Sequence, residues 1–81
     1  MTRKLPACTA RDVERALRQL GFLLDRQAGS HRVFIHPTSR ARVVMPVHSG
    51  DLKPGMLSQL IKDMAVSRQK FHGLLRGRRA A

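Results

Sequence analysis

Two short turns divide the middle of the chain into three β-favouring segments, and this spacing limits the fold more than any other feature of the sequence. The turns cover residues 28–30 and 37–40 and are rich in Gly, Pro and Ser, which are typical turn residues. The three segments are 22–27, 31–36 and 41–47. Consecutive strands joined by such turns are typical of a three-stranded antiparallel meander.

An amphipathic helix is predicted on each side of these strands. In the first helix, Thr9 caps the N-terminus, Asp12 takes the third helical position, and Gly21 ends the helix. Its apolar residues follow the i, i+3, i+4, i+7 spacing and are Val13, Ala16, Leu17 and Leu20. A second helix opens at Pro54 and has the same spacing at Leu57, Leu60, Ile61 and Met64. A short third helix is predicted after Ser67.

The resulting order is α-β-β-β-α with a small trailing helix, so that two helices cover one face of an antiparallel sheet. This α+β architecture is that of double-stranded-RNA-binding-like domains. A chain of 81 residues has room for one core and for no second domain. We therefore predict an N-terminal extension over 1–8, a single domain over 9–75 and a basic C-terminal tail over 76–81.

Alternation along the strands predicts which side chains the helices cover. Matching the apolar positions places Val33 and Ile35 of the second strand on the covered face. The third strand adds Val43, Met45 and Val47 to that face. The uncovered face then carries Arg32, Phe34, His36, Arg42, Val44 and His48. His31 falls at the edge of the covered side in this arrangement.

Charge is the strongest compositional signal. Sixteen Lys and Arg residues face five Asp and Glu residues, which gives a net charge of +11. Such a chain attracts polyanions, and nucleic acid is the leading partner class because each neutralised phosphate releases a counterion. An acidic protein could use the same surface. With one cysteine, no secretory signal and no membrane-length apolar run, we expect a cytoplasmic protein without a membrane partner.

The sequence offers no pattern for a metal or a small-molecule cofactor, and we expect neither. It contains no Cys-x-x-Cys, no His-x-x-x-His and no acidic cluster that would supply zinc or paired magnesium ions. It also lacks a Gly-rich nucleotide loop. Ser30 and His31 are neighbours without a nucleophile elbow, so a hydrolase triad has little support.

The meander brings several polar residues to one end of the sheet. Gly29, Ser30, His31, Pro46, Val47 and His48 should gather there, with Lys53 and the second helix's N-terminus nearby. Gly29 and Gly55 serve as turn residues. A helix N-terminus beside a lysine attracts phosphate, and an imidazole can exchange a proton near neutral pH. A histidine at a strand edge is, however, more often a structural hydrogen-bonding residue.

RNA carries its own nucleophile, so this collection suggests a ribonuclease. His31 would deprotonate the 2′-hydroxyl, and Lys53 would stabilise charge on the phosphate. We assign Ser30, Arg32 and His48 with Lys53 to RNA or phosphate binding. His36 lies five residues from His31, hence on the opposite face and at the far end of the sheet, so the two cannot act as a pair.

Several motifs in order resemble the HicA toxins of bacterial toxin–antitoxin pairs. They are Gly21-Phe22, Gly29-Ser30-His31, His36-Pro37, Pro46-Val47-His48 and Leu52-Lys53-Pro54-Gly55. The resemblance covers roughly 11–64. It implies an mRNA interferase that uses His31 catalytically and is held inactive by a cognate HicB antitoxin covering the active region. The resemblance thus predicts an acidic antitoxin as the partner, with charge complementarity steering the association.

Three functions remain open from the sequence. The favoured one is a metal-independent endoribonuclease toxin acting on mRNA. A non-catalytic RNA-binding module of the same fold has the same charge and architecture. A basic DNA-binding or nucleoid protein is weaker, because no long recognition helix concentrates the arginines.

Overall fold

The computed structural model describes residues 7–47 and 49–77. Its elements are α1 (Ala10–Gln19), β1 (Leu23–Ala28), β2 (His31–Ile35), β3 (Arg42–Pro46), α2 (Pro54–Asp63) and α3 (Arg68–Gly77). The strands form one antiparallel sheet in the order β1-β2-β3. The predicted α+β fold of the double-stranded-RNA-binding type is confirmed.

Local sequence chemistry sets both ends of α1. Thr9 Oγ1 accepts a hydrogen bond from the Asp12 backbone N–H at 3.2 Å, and the Thr9 N–H donates to Asp12 Oδ2 at 3.1 Å. This reciprocal capping box satisfies two of the N–H groups that a helix start leaves without partners. After the helix, Gly21 has a φ of +98°, a conformation that favours glycine. The predicted helix start and stop are confirmed.

A tight turn joins β1 to β2 and fixes where β2 begins. Ala28 and His31 form the closing pair of the hairpin, so only Gly29 and Ser30 lie between the strands. Gly29 has a φ of +59°, whereas Ser30 keeps a negative φ. Glycine at the first of two central positions is the preference of the type II′ turn, whose twist suits a hairpin. His31 is therefore held at the end of the sheet by the turn before it.

The helices cover one face of the sheet, and the core lies between them. The largest fully buried side chains are Phe34, Phe71, Leu17, Met45, Leu57, Leu60, Val13, Val43 and Cys8. Cys8, in the predicted extension, thus belongs to the core, and its carbonyl accepts a 2.7 Å hydrogen bond from the Leu52 N–H. No helix of the described residues lies on the opposite face of the sheet.

The predicted facing of β2 is wrong, whereas that of Val43 and Met45 in β3 is confirmed. Phe34 pairs with Val43 and has no exposed surface, so the even-numbered positions of β2 face the helices. Only one of the two alternating sets can do so, and the large ring of Phe34 takes the place expected for Val33 and Ile35. Val33 is buried outside the helix-side core. Val47, expected to be covered, is 50% exposed.

Reversal of β2 moves its polar residues as well. Arg32 and His36, predicted on the uncovered face, lie on the helix side with Phe34, and His31 lies on the uncovered face. Arg42 and Val44 are on the uncovered face as predicted. His48 lies outside the described residues, so its predicted position stays a prediction.

The third helix is longer than predicted. It has ten residues, as many as α1 and α2. Ser67 caps it as expected, because Ser67 Oγ accepts from the Lys70 N–H at 3.0 Å. Phe71 is fully buried, and Gln19 Nε2 donates to the Leu74 carbonyl at 3.1 Å, which joins α3 to α1. The helix includes Arg76 and Gly77 of the predicted tail, and 78–81 lie outside the described residues.

The imidazole of His36 links three segments of the fold. Its Nδ1 accepts hydrogen bonds from the Thr38 and Ser39 N–H groups, both at 3.2 Å. Because Nδ1 accepts, Nε2 carries the hydrogen and donates to the Leu20 carbonyl at 3.0 Å. The ring also packs edge-on against Phe22, with centroids 5.2 Å apart. His36 therefore holds the end of α1 against the turn between β2 and β3.

Two glycine substitutions test this packing. In Gly21→Ala the added Cβ would lie 3.1 Å from His36 Nε2. The alanine would also have to keep a backbone φ of +98°. In Gly29→Ala the same atom meets nothing within 4 Å, so only backbone strain at φ +59° remains. We expect losses of unfolding free energy of about 2–3 kcal/mol for Gly21→Ala and about 1 kcal/mol for Gly29→Ala. Denaturant titration measures both, and equal losses would contradict the tight contact.

Candidate active site

His31 is the first residue of β2 and lies on the face of the sheet that no described helix covers. Its side chain is exposed, and its ring makes no hydrogen bond to any described residue. Its neighbours across the sheet are Ala28 on β1 and Pro46 on β3. Neither carries a polar side chain that would occupy the ring nitrogens. The imidazole is thus open to a ligand from solvent.

The end of the sheet gathers most of the residues that the sequence predicted there. The Ser30 carbonyl accepts a hydrogen bond from the Val47 N–H at 2.7 Å, which extends the β2–β3 pairing beyond the last ladder pair. Gly29, Ser30 and His31 therefore sit beside Pro46 and Val47, as the meander requires. This grouping is confirmed for the described residues.

The N-termini of α1 and α2 are tied together by backbone contacts. Thr9, which caps α1, forms an antiparallel bridge with Asp51, two residues before the N-cap of α2 at Lys53. The segment from Pro46 to Lys53 connects this junction to the end of β3. Residues Ala10 and Arg11, in the first turn of α1, line a cleft together with Pro46 and Val47. Both helix starts thus lie at the His31 end of the fold.

The two helix starts differ in their electrostatics. The negative charge of the Asp12 carboxylate already compensates the positive end of the α1 dipole, and the carboxylate accepts a hydrogen bond from the Thr9 N–H. The start of α2 has no acidic residue in its first turn and no side-chain capping bond, and the exposed Lys53 is its N-cap. Pro54 follows in the first turn, and Gly55 adds no side chain over the backbone. The α2 start is therefore the more attractive of the two for an anion.

The structure does not bring Arg32 to the face that carries His31. Its Nη1 donates to Glu14 Oε1 at 2.8 Å, and its Nε donates to Gln27 Oε1 at 3.2 Å. Glu14 also binds Arg18 through its other oxygen at 2.8 Å. Arg32 thus belongs to an ion-pair network at the edge of α1 and is separated from the imidazole of His31 by the sheet.

His36 is placed as the sequence predicted, at the far end of β2 and on the face opposite His31. The bonds of its ring are all to backbone groups of the fold. Among the described residues, no group of three or more His, Cys, Asp or Glu side chains is arranged to hold a metal ion. Within the same residues, no helix is both long and apolar enough to cross a bilayer.

Comparison of the sequence with models of known protein families gives a match. The model of the HicA toxin of bacterial toxin–antitoxin systems matches residues 10–66, well over half of the chain. The matched range runs from the start of α1 through the whole sheet and α2. No curated protein matches the chain significantly.

The chain belongs to the HicA toxin family. It is therefore the toxin component of a toxin–antitoxin pair, a class that is generally ribonucleolytic and has a cognate antitoxin as partner.

Sequence reasoning missed the role of Glu14 as the centre of the arginine network. The Glu14–Arg18 ion pair could have been predicted from the sequence, because side chains four residues apart on a helix lie close together. The second ion pair joins Glu14 to Arg32 across 18 positions and depends on the facing of β2. Only the folded arrangement reveals it.

Alanine substitutions at His31 and His36 distinguish an imidazole that stabilises the fold from one that is available for function. We expect His36→Ala to lower the unfolding free energy by about 2–4 kcal/mol, because three hydrogen bonds and an aromatic contact are lost. His31→Ala, at an exposed and unbonded position, should change it by less than about 0.5 kcal/mol. Denaturant midpoints of the two variants provide the comparison. A large loss for His31→Ala would mean that this ring holds the fold together.

Proposed function

We propose that the protein is an mRNA-cleaving endoribonuclease in which His31 performs the proton transfers. The observation that carries this proposal is the position of His31: an exposed imidazole with no hydrogen bond to a described residue, at the sheet end where two helix N-termini converge. Such a ring is available to substrate, and the cationic surroundings attract phosphate. The family of the chain supports the same activity.

The chemistry needs only the substrate and a proton acceptor. The imidazole takes the proton of the 2′-hydroxyl, and the 2′-oxygen forms a bond to the adjacent phosphorus. The bond from phosphorus to the 5′-oxygen of the next nucleotide breaks, and this oxygen receives a proton from the imidazolium, directly or through water. The products are a 2′,3′-cyclic phosphate and a 5′-hydroxyl. No metal ion is required to generate the nucleophile.

Stabilisation of the phosphate is the second requirement. We assign it to Lys53 and the backbone N–H groups that open α2, because the helix dipole and the ammonium group both favour the charge that develops on the phosphate oxygens. Ser30 adds an exposed hydroxyl one residue before His31. His48 remains part of the proposal from its sequence position between Val47 and the α2 loop. Arg32 would contribute only from the opposite face of the sheet.

The antitoxin partner is proposed to be acidic. A toxin with a net charge of +11 attracts an acidic protein at long range, and complementary charge raises the association rate. The uncovered sheet face around His31 is open to such a partner. Covering it would keep RNA from the imidazole.

Substitution of His31 tests the catalytic assignment. The wild-type protein should cleave mRNA in the presence of EDTA, and His31→Ala should lower the cleavage rate at least 1,000-fold, roughly the effect of losing general acid–base catalysis. Arg42→Ala is the control, since Arg42 is exposed on the same face at the opposite end of the sheet. Gel analysis under single-turnover conditions gives the rates.

Two results would contradict the assignment. Cleavage by His31→Ala at the wild-type rate would remove His31 from the chemistry. RNA binding by the wild-type protein without any cleavage would favour a non-catalytic RNA-binding module of the same fold.

Lys53→Gln tests the phosphate site. We expect kcat/KM for RNA to fall about tenfold or more, because a cation beside the reacting phosphate is lost from an exposed N-cap that makes no side-chain capping bond. Lys62→Gln is the matched control, because Lys62 is an exposed lysine in the last turn of the same helix. Equal activity of the two variants would exclude a special role for Lys53.

A further inference from the structure

Two adjoining clefts run along one side of α1 and share three of their lining residues. The first is lined by Arg11, Glu14, Arg15, Arg18 and Arg32. The second is also lined by Arg11, Glu14 and Arg32 and continues to Met45, Pro46 and Val47 at the end of β3. Because their linings overlap, the clefts form one continuous surface, which we call the α1 groove. It leads from the C-terminal end of α1 to the end of the sheet.

The α1 groove is strongly cationic. Four arginines line it against a single carboxylate, Glu14. Both oxygens of Glu14 are engaged, one by Arg18 and the other by Arg32, each at 2.8 Å. No ion pair involves Arg11 or Arg15 among the described residues, and both side chains are exposed. The groove therefore has cationic groups free for a ligand and two more held in fixed positions by Glu14.

The arrangement of these groups fits a chain of regularly spaced anions. Arg11 and Arg15 are four residues apart on a helix, about 6 Å along its axis, and so lie on one side of it. This separation is comparable to that of successive phosphates along a nucleic-acid strand. Guanidinium groups bind phosphate oxygens through two parallel hydrogen bonds, which makes arginine well suited to this ligand.

The end of the groove lies next to the candidate active site. Pro46, which lines the groove, is the direct β-ladder partner of His31. Opposite residues in an antiparallel ladder are about 5 Å apart between Cα atoms. A strand that lies in the groove and passes the end of the sheet would thus meet the uncovered face where the imidazole is exposed.

We infer that the α1 groove binds the phosphate backbone of the RNA substrate and leads the strand to His31. This inference rests on the proposed function and deepens it, because it assigns a binding surface separate from the reacting groups. An acidic polypeptide is the competing ligand for a cationic surface. RNA is favoured for two reasons. The arginines of the groove are regularly spaced, and the groove ends at Pro46, the residue paired with His31.

The test measures RNA affinity without cleavage. A single-stranded 2′-O-methyl oligonucleotide lacks the free 2′-hydroxyl and serves as the probe for the wild-type protein and for the double variant Arg11→Gln/Arg15→Gln. Glutamine forms helices nearly as well as arginine, so exposed α1 positions should tolerate it, and thermal unfolding checks this. The matched control is Lys62→Gln/Lys70→Gln, which removes two exposed charges outside the groove.

We expect the groove variant to bind the oligonucleotide roughly tenfold more weakly at low salt than the wild type. The slope of log affinity against log salt should become shallower by about 1.4, the effect of losing two phosphate contacts on a single strand. The lysine control should lose less than twofold. Equal weakening in both variants would show diffuse charge attraction and overturn the inference, as would unchanged binding by the groove variant.

A parallel titration with poly-L-glutamate separates RNA from an acidic protein. If the groove substitutions weaken polyglutamate binding but leave RNA binding unchanged, the groove takes an acidic polypeptide and the inference is wrong. The oligonucleotide measurement needs no catalysis. A wild-type protein that fails to cleave RNA would overturn the proposed function and leave the result for the groove intact.

Discussion

Burial of Phe34 against the helices is the interaction on which the arrangement of the site depends. Phe34 is fully buried in the middle strand, where it pairs with Val43. Because side chains alternate along a strand, this one burial turns His31 to the open face and Arg32 toward α1. The same packing choice therefore exposes the imidazole and builds the arginine network on the other side.

The two sides of the sheet consequently have different chemistry. The open face offers an imidazole at its end and no competing polar partner among its described neighbours across the sheet. The α1 side offers fixed and free guanidinium groups in a continuous groove. The two surfaces meet at the end of β3, where Pro46 lines the groove and pairs with His31. Proton transfer and backbone binding are thus assigned to separate but adjacent surfaces.

Features set by local chemistry could be predicted from the sequence. The Thr9–Asp12 capping box and the glycines at 21 and 29 depend on residues a few positions apart, and the structure has each of them as expected. The grouping of Ser30 and His31 with Pro46 followed from the topology of a meander. These features required only short-range propensities and the connection of neighbouring strands.

The facing of β2 could not be obtained in that way. Val33 and Ile35 match the apolar positions of β3, whereas the single Phe34 outweighs them once the helices pack on the sheet. The ion pair of Arg32 with Glu14 follows from this facing, and the backbone bonds of the His36 ring come from two separate segments, the end of α1 and the turn after β2. Each depends on packing between distant parts of the chain, which a local pattern does not encode.

The chemical identity of the RNA ends tests the central claim most directly. Fragments produced by the purified wild-type protein in EDTA can be analysed by mass spectrometry. Attack by the 2′-hydroxyl with His31 as the proton acceptor predicts 2′,3′-cyclic phosphate and 5′-hydroxyl ends. Fragments with 3′-hydroxyl and 5′-phosphate ends would contradict the account, because such ends come from attack by water rather than by the ribose.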